Sequence, residues 1–167
     1  MLKNTIVKLI NEQVGKEFYS AYLYLQISIF FEAQALFGFE KWYKIQAKEE
    51  ITHAEKFIQY LQDNDADVDL PAIDRPPVKF KNNEEALKKA LEHERLITES
   101  INGIALEAKK ANDFRTSHFL NWYHEEQLED EKNASDRLKE FQRFGSETKG
   151  LVTLDEEMGR REDNITL

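Results

Sequence analysis

The sequence contains no cysteine. That removes disulfides, thiolate zinc sites, iron–sulfur clusters and rubredoxin-type iron, and it fits a reducing cytoplasm. Proline is scarce and confined. Pro71, Pro76 and Pro77 are the only three, so the chain on either side is free to form long helices. No apolar run approaches the length of a membrane span. The N-terminus lacks the apolar stretch of an export signal and reads as the start of an amphipathic helix. Positive charge is in deficit: 23 Lys and Arg stand against 32 Asp and Glu, a net charge of −9. That balance disfavours nucleic acid and anionic membranes as partners and suits a cation. Asn164-Ile165-Thr166 matches a glycosylation sequon, which carries no weight without an export signal.

What remains is a soluble helical composition, 41% hydrophobic and 33% charged over 167 residues, enough for one domain with a real core. Apolar spacing is helical almost throughout. It predicts a helix over about 4–33, with Ile6, Ile10, Gln13, Glu17, Ser20, Tyr24, Ile27 and Phe31 on one stripe. After a turn at Gly38, a second runs over about 39–64, its stripe Phe39, Tyr43, Gln46, Glu50, His53, Phe57 and Tyr60. The proline-bearing stretch 65–82 is a loop. A third helix starts at an Asn83 cap and runs to about 111, with Leu87, Leu91, Glu94, Thr98, Ile101, Ala105 and Ala108 facing inward. Asn112-Asp113 make a turn and cap. The fourth helix reaches about 144, with Leu120, Tyr123, Gln127, Asp130, Ala134, Leu138 and Phe141 on its stripe, and Gly145 ends it. A short fifth helix is expected within 146–160.

Loop lengths set the topology. The short connections make two antiparallel hairpins. The loop of about 18 residues spans roughly 60 Å when extended, and a helix of about 28 residues is roughly 42 Å long. The loop therefore traverses the bundle and leaves the second and third helices parallel. The expected architecture is an all-α four-helix bundle with one long crossover over 1–145, followed by a short fifth helix and tail over 146–167.

Inside this bundle lies a polar layer. Glu50 and His53, three apart, share one helical face. Glu17 lies 33 residues before Glu50, and Glu94 lies 33 residues before Gln127. One offset of 77 carries Glu17 onto Glu94, Glu50 onto Gln127 and His53 onto Asp130. Measured from their turns, all six reach one height at mid-bundle. Burying the ionised carboxylates of Glu17, Glu50, Glu94 and Asp130 costs several kcal/mol unless compensated. No Lys or Arg occupies the stripe near them, and two divalent cations would balance the charge. Oxygen-rich ligands with one imidazole suit Fe, Mn or Mg better than Zn or Cu. Glu50 has two oxygens with which to bridge two ions. Glu49, Glu126 and Glu129 flank the layer, either as a further metal site or as solvated charges. Tyr24, two turns from Glu17, is either a donor to a metal-bound oxidant or a core aromatic. Trp122 reads as core, and His93, His118 and His124 as surface or packing residues.

The constellation resembles the non-haem bacterial and archaeal ferritins. The resemblance rests on Glu17-Phe18-Tyr19-Ser20-Ala21-Tyr22-Leu23-Tyr24, Glu49-Glu50-Ile51-Thr52-His53, His93-Glu94 and Glu125-Glu126-Gln127-Leu128-Glu129-Asp130, and it covers the whole chain. It implies a ferroxidase site. Glu17, Glu50 and His53 hold one iron, and Glu50 bridges to a second held by Glu94 with Gln127 and Asp130 nearby. Glu49, Glu126 and Glu129 match the family's extra iron site. It also implies a cytoplasmic 24-subunit shell that oxidises Fe2+ with O2 or peroxide and stores ferric mineral, with the fifth helix at subunit junctions. Haem is not expected, because Ile51 stands where bacterioferritins carry a haem-ligating Met. They and rubrerythrins also repeat Glu-x-x-His on the fourth helix, where this chain has Gln127-Leu128-Glu129-Asp130. The related ferritins have Glu at position 130; the shorter Asp130 predicts a weaker second site. A peroxide-consuming protector of DNA, a structural bundle with a vestigial site, and a manganese or mixed-metal oxidase are the rival readings.

Overall fold

The computed structural model describes residues 2–165; the last residue of the Asn164 sequon lies outside them. Five helices follow in order: α1 Asn4–Glu32, α2 Phe37–Asp63, α3 Asn83–Lys110, α4 Phe114–Phe144 and α5 Thr148–Met158. No described helix is long and apolar enough to cross a membrane. Helix α1 packs on α2 and α3, α3 packs on α4, and α5 lies against α2 and α4. The end of α1, the starts of α2 and α3 and the end of α4 share one apolar cluster, including Phe31, Phe39, Leu87 and Leu138. A second cluster at the other end joins Ile6, Phe57, Ile104 and Leu120. The starts of α2 and α3 therefore lie together, and the crossover runs the length of the bundle as its loop length requires.

The ends of the helices show how local sequence and tertiary contacts divide the work. Helices α1, α2 and α3 each close through a left-handed residue: Ala35 (φ 58°), Asp65 (φ 51°) and Asn112 (φ 54°). Each turn is secured by a backbone bond reaching back five residues, Leu36 N–H to Phe31 O, Ala66 N–H to Leu61 O and Asp113 N–H to Ala108 O. The turn residue of the first hairpin is thus Ala35. Gly38 is instead the second residue of α2, and it is small for a different reason. A Cβ there would lie 1.6 Å from the Asp155 carbonyl oxygen of α5. Helix α2 has no side-chain cap of its own. Asp155 Oδ1 accepts from the N–H groups of Gly38 (2.8 Å) and Phe39 (3.0 Å), so a residue of α5 satisfies donors that the start of α2 leaves open. Helix α3 is capped by Asn82, one residue earlier than expected, whose side chain accepts from Glu85 N–H at 2.9 Å. Asp113 caps α4 at Thr116 N–H, 3.0 Å.

The crossover is fastened to α1. Asn11 donates to Asp67 O (3.0 Å) and accepts from Asp69 N–H (2.7 Å). At Gly15 a Cβ would meet Pro71 Cγ at 2.4 Å, so the missing side chain is what lets the crossover lie close. Thr98, Ala105, Ala134 and Phe141, expected on the inner stripes, are only half-buried, and Ile97 and Ile104 take the buried positions on α3. The buried face of α3 keeps Leu87, Leu91, Glu94, Ile101 and Ala108 of the predicted stripe and widens to one side of it, where Ala90, Ile97 and Ile104 lie.

Candidate metal centre

Between the two apolar clusters the bundle is polar. Glu17, Glu50, His53, Glu94, Gln127 and Asp130 are all buried, as are Gln13, Ser20 and Gln46. Helix α1 supplies Glu17, α2 supplies Glu50 and His53, α3 supplies Glu94, and α4 supplies Gln127 and Asp130. The three- and four-residue spacing of each helix turns these groups toward the same axis.

Ligand-capable atoms of Glu17, Glu50 and His53 all lie within 4.8 Å of one another. His53 Nδ1 is 3.2 Å from Glu50 Oε2, and Glu50 Oε1 accepts from Gln46 Nε2 at 3.2 Å. Glu17 Oε1 accepts from Gln13 Nε2 at 2.8 Å. Glu17 Oε2 is buried with no hydrogen-bond partner among the described residues. A buried carboxylate oxygen without a partner is costly, and its place in this cluster fits a cation ligand.

A second set, His53, Glu126 and Asp130, also falls within 4.8 Å. Glu126 Oε1 is 3.8 Å from His53 Nε2. Asp130 Oδ1 accepts from Gln46 Nε2 at 2.9 Å. Glu94 is held differently. Tyr24 donates to Oε1, and Gln127 Nε2 donates to Oε2 (2.6 Å) and to the Glu94 main-chain oxygen (2.9 Å). Glu94 and Asp130 both line a cavity of about 10 Å³, shared with Tyr24, Tyr43 and Gln46. That volume suits a single water or ion.

The electrostatics follow from crowding like charges away from water. Burial, then the neighbouring Glu50, raises the Glu17 carboxyl to about 8. Burial pushes Glu94 and Asp130 well above the usual carboxylate range, with Asp130 acting further on Glu94 and Glu50 on Asp130. For His53, burial alone would lower the pKa. The charge and hydrogen bond of Glu50, with Glu17 and Asp130 behind, outweigh it and raise the ring to about 10. Without a cation the layer therefore retains protons that a metal ion would displace.

The flanking acids diverge. Glu126 joins His53 and Asp130, whereas Glu129 is exposed and belongs to neither set. Glu49 pairs with Arg161, from the segment after α5. Burial raises its pKa while Arg161 opposes the rise. This arginine supplies positive charge beside the layer from 112 residues away in sequence, and no local pattern pointed to it. Gln46 was legible as a stripe residue, but its bridging of Arg161, Glu50 and Asp130 was not. His93 is a packing residue, buried with its Nε2 2.7 Å from Ser20 Oγ. His118 and His124 are exposed. Trp122 is half-buried rather than core, its ring 5.4 Å from His53 and covered outside by Lys56 Nζ at 3.5 Å.

The profile of the ferritin-like domain matches residues 7–144. The chain belongs to the ferritin family. Among curated proteins, this ferritin is 36% identical over 156 residues to the bacterial non-heme ferritin of Campylobacter jejuni, covering 93% of each chain. It is 27% identical over 161 residues to that of Staphylococcus aureus, covering 96% of this chain and 97% of the other. Among solved structures, the open-pore ferritin of the archaeon Archaeoglobus fulgidus superposes with a TM-score of 0.94 at 33% identity, covering 97% of this chain and 100% of the other. The fold is thus that of a prokaryotic non-haem ferritin, a four-helix bundle with a short C-terminal helix. Membership places the chain among proteins of iron storage and ferrous iron oxidation.

Proposed function

We propose that this ferritin oxidises Fe2+ with O2 or peroxide at an intra-subunit di-iron site, and that a cytoplasmic shell of 24 copies stores the product as ferric mineral. The observation that carries this reading is Glu17 Oε2, a buried and unpartnered carboxylate oxygen among donor atoms of Glu50 and His53. Glu17, Glu50 and His53 hold the first ferrous ion. Glu50 extends toward a second ion served by Glu94, Asp130 and Gln127, and Glu49 and Glu126, both charged neighbours of His53, form a third position from which the exposed Glu129 stands apart.

The chemistry of the residues follows from charge. Anionic oxygen ligands favour the higher charge of Fe3+ over Fe2+ and so favour oxidation. Each Fe2+ gives up one electron, and O2 takes two electrons and two protons to leave as hydrogen peroxide. Carboxylic acids kept protonated by burial release protons as iron binds. Tyr24, through its O–H to Glu94, holds that carboxylate in place for the second ion. Its phenol is also suited to give an electron to the oxidant. A haem partner is not part of the reading, since Ile51 offers no axial ligand.

The test is anaerobic addition of Fe2+ followed by O2, with ferric absorbance followed in the wild type and in Glu50→Ala. Rapid oxidation that falls to the solution rate in the variant is expected. Equal slow rates in both would overturn the reading. Metal content after purification without added metal separates it from a manganese oxidase.

A further inference from the structure

We propose that Arg161 is a built-in counter-cation for Glu49, and that the segment Gly159–Asp163 is a latch which a metal ion at the third position must displace. This rests on the reading of Glu49 as a ligand of that position.

The segment lies along one face of α2 and is tied to it at several points. Lys41 Nζ donates to Gly159 O at 2.8 Å. The Arg161 guanidinium sits 4.3 Å from the centroid of the Trp42 ring. Its Nη1 donates to Gln46 Oε1 at 2.9 Å and to Trp42 O at 3.3 Å, and its Nη2 donates to Glu49 Oε2. Lys48 pairs with Asp163. Residues 41, 42, 48 and 49 recur at the spacing of one helical face. The Arg161 and Glu49 side chains are 15% and 27% exposed. The pair is partly desolvated, and its guanidinium is stacked on an aromatic ring and shared among three acceptors, unlike a solvent-exposed ion pair.

Two consequences follow. A guanidinium and a dication compete for the same oxygen of Glu49, and a positive charge held there repels an approaching dication. Arg161 also fixes Gln46. With Oε1 accepting from the guanidinium, the amide turns Nε2 toward Glu50 and Asp130. Releasing the latch therefore frees Glu49 and loosens the donor that restrains two carboxylates of the layer. The third position and the segment after α5 are thermodynamically linked, and each weakens the other.

The test uses the assembled metal-free protein and Zn2+, which binds without being oxidised. Calorimetric titrations compare the wild type with Arg161→Gln and Arg161→Lys, and anomalous scattering from Zn2+-soaked crystals locates the ions. In Arg161→Gln an ion at Glu49 is expected to bind about 5- to 150-fold more tightly, the usual span of such coupling. Binding at Glu17, Glu50 and His53 should persist, and the gain should vanish when Glu49→Gln is added. Arg161→Lys keeps the charge but loses the fork, should fall between, and decides the matter if Arg161→Gln does not assemble. Unchanged or weaker binding at Glu49 in both variants, with the inner ion still bound, overturns the latch alone. Failure of the wild type to bind Zn2+ at Glu17, Glu50 and His53 overturns the latch and the site reading together.

Discussion

The two hairpins carry polar residues in the same register but dispose of them in opposite ways. In α1 and α2, Glu17, Glu50 and His53 converge while one Glu17 oxygen remains unpartnered. In α3 and α4, an offset of 77 residues replaces the second Glu by Gln127 and the His by Asp130. The amide of Gln127 donates to Glu94 twice, Tyr24 donates to the other oxygen, and Gln46 donates to Asp130. One half leaves a buried carboxylate oxygen without a hydrogen-bond partner, and the other is largely satisfied by hydrogen bonds. Matched helical positions thus set where a site forms. The side-chain chemistry at each position sets how strongly a metal ion is demanded.

The largest test of this contrast is to neutralise each half in turn. Glu17→Gln should weaken the first metal ion by on the order of 100-fold, since it removes a charged ligand. At neutral pH it should also stabilise the metal-free protein by roughly 1–3 kcal/mol, since Gln carries no cost for holding a proton that the unfolded carboxyl would release. Asp130→Asn should weaken only the second ion and change metal-free stability less, because Asp130 already accepts from Gln46. Titration with a redox-inert dication and chemical denaturation read both effects. Equal losses from the two substitutions would break the asymmetry, as would equal occupancy of both sites in an iron-soaked crystal.

A smaller effect is in pH. Glu17 rises from 4.5 to about 8 and His53 from 6.5 to about 10. Between the unfolded and folded values the native state holds more protons, so each stabilising contribution is full at low pH and is lost as pH rises. The metal-free protein should therefore lose stability from about pH 5 to 9. The slope should be shallower in Glu17→Gln and nearly abolished with saturating metal. Denaturation midpoints across that range measure it, and a wild-type stability that rises with pH would contradict the assignment.

The smallest effect compares the hairpin turns. Both use a left-handed residue, Asn112 in the second and Ala35 in the first. Asn adopts that conformation at less cost than Ala. Ala35 is exposed, so Ala35→Gly removes strain at little cost in packing. It should stabilise the chain by about 0.5–1 kcal/mol, read as a shift in denaturant midpoint, while the corresponding Asn112→Gly should gain less.

Much of this was legible in residue order. Glu17, Glu50, His53, Glu94, Gln127 and Asp130 recur on apolar stripes, and periodicity needs no tertiary knowledge. The turn at Asn112-Asp113 was legible because those residues favour such geometry, whereas the turn at Ala35 was not, since nothing about alanine announces a left-handed turn. Gly38 misled for the converse reason: its smallness serves Asp155, which lies in α5. The flanking acids Glu49, Glu126 and Glu129 looked alike along the chain and separated only in space, one to Arg161, one to His53 and Asp130, and one to solvent.

By itself, the sequence determined the helices, the long crossover and the height of the polar layer. Each of these depends on local periodicity and on how far a loop can reach. Only the tertiary structure decided which oxygen of Glu17 lacks a partner, how Gln46 is turned, that Asp155 caps α2 and that Arg161 holds Glu49. Those features join residues from 4 to 117 positions apart. They depend on directions and distances between side chains that a spacing pattern does not encode.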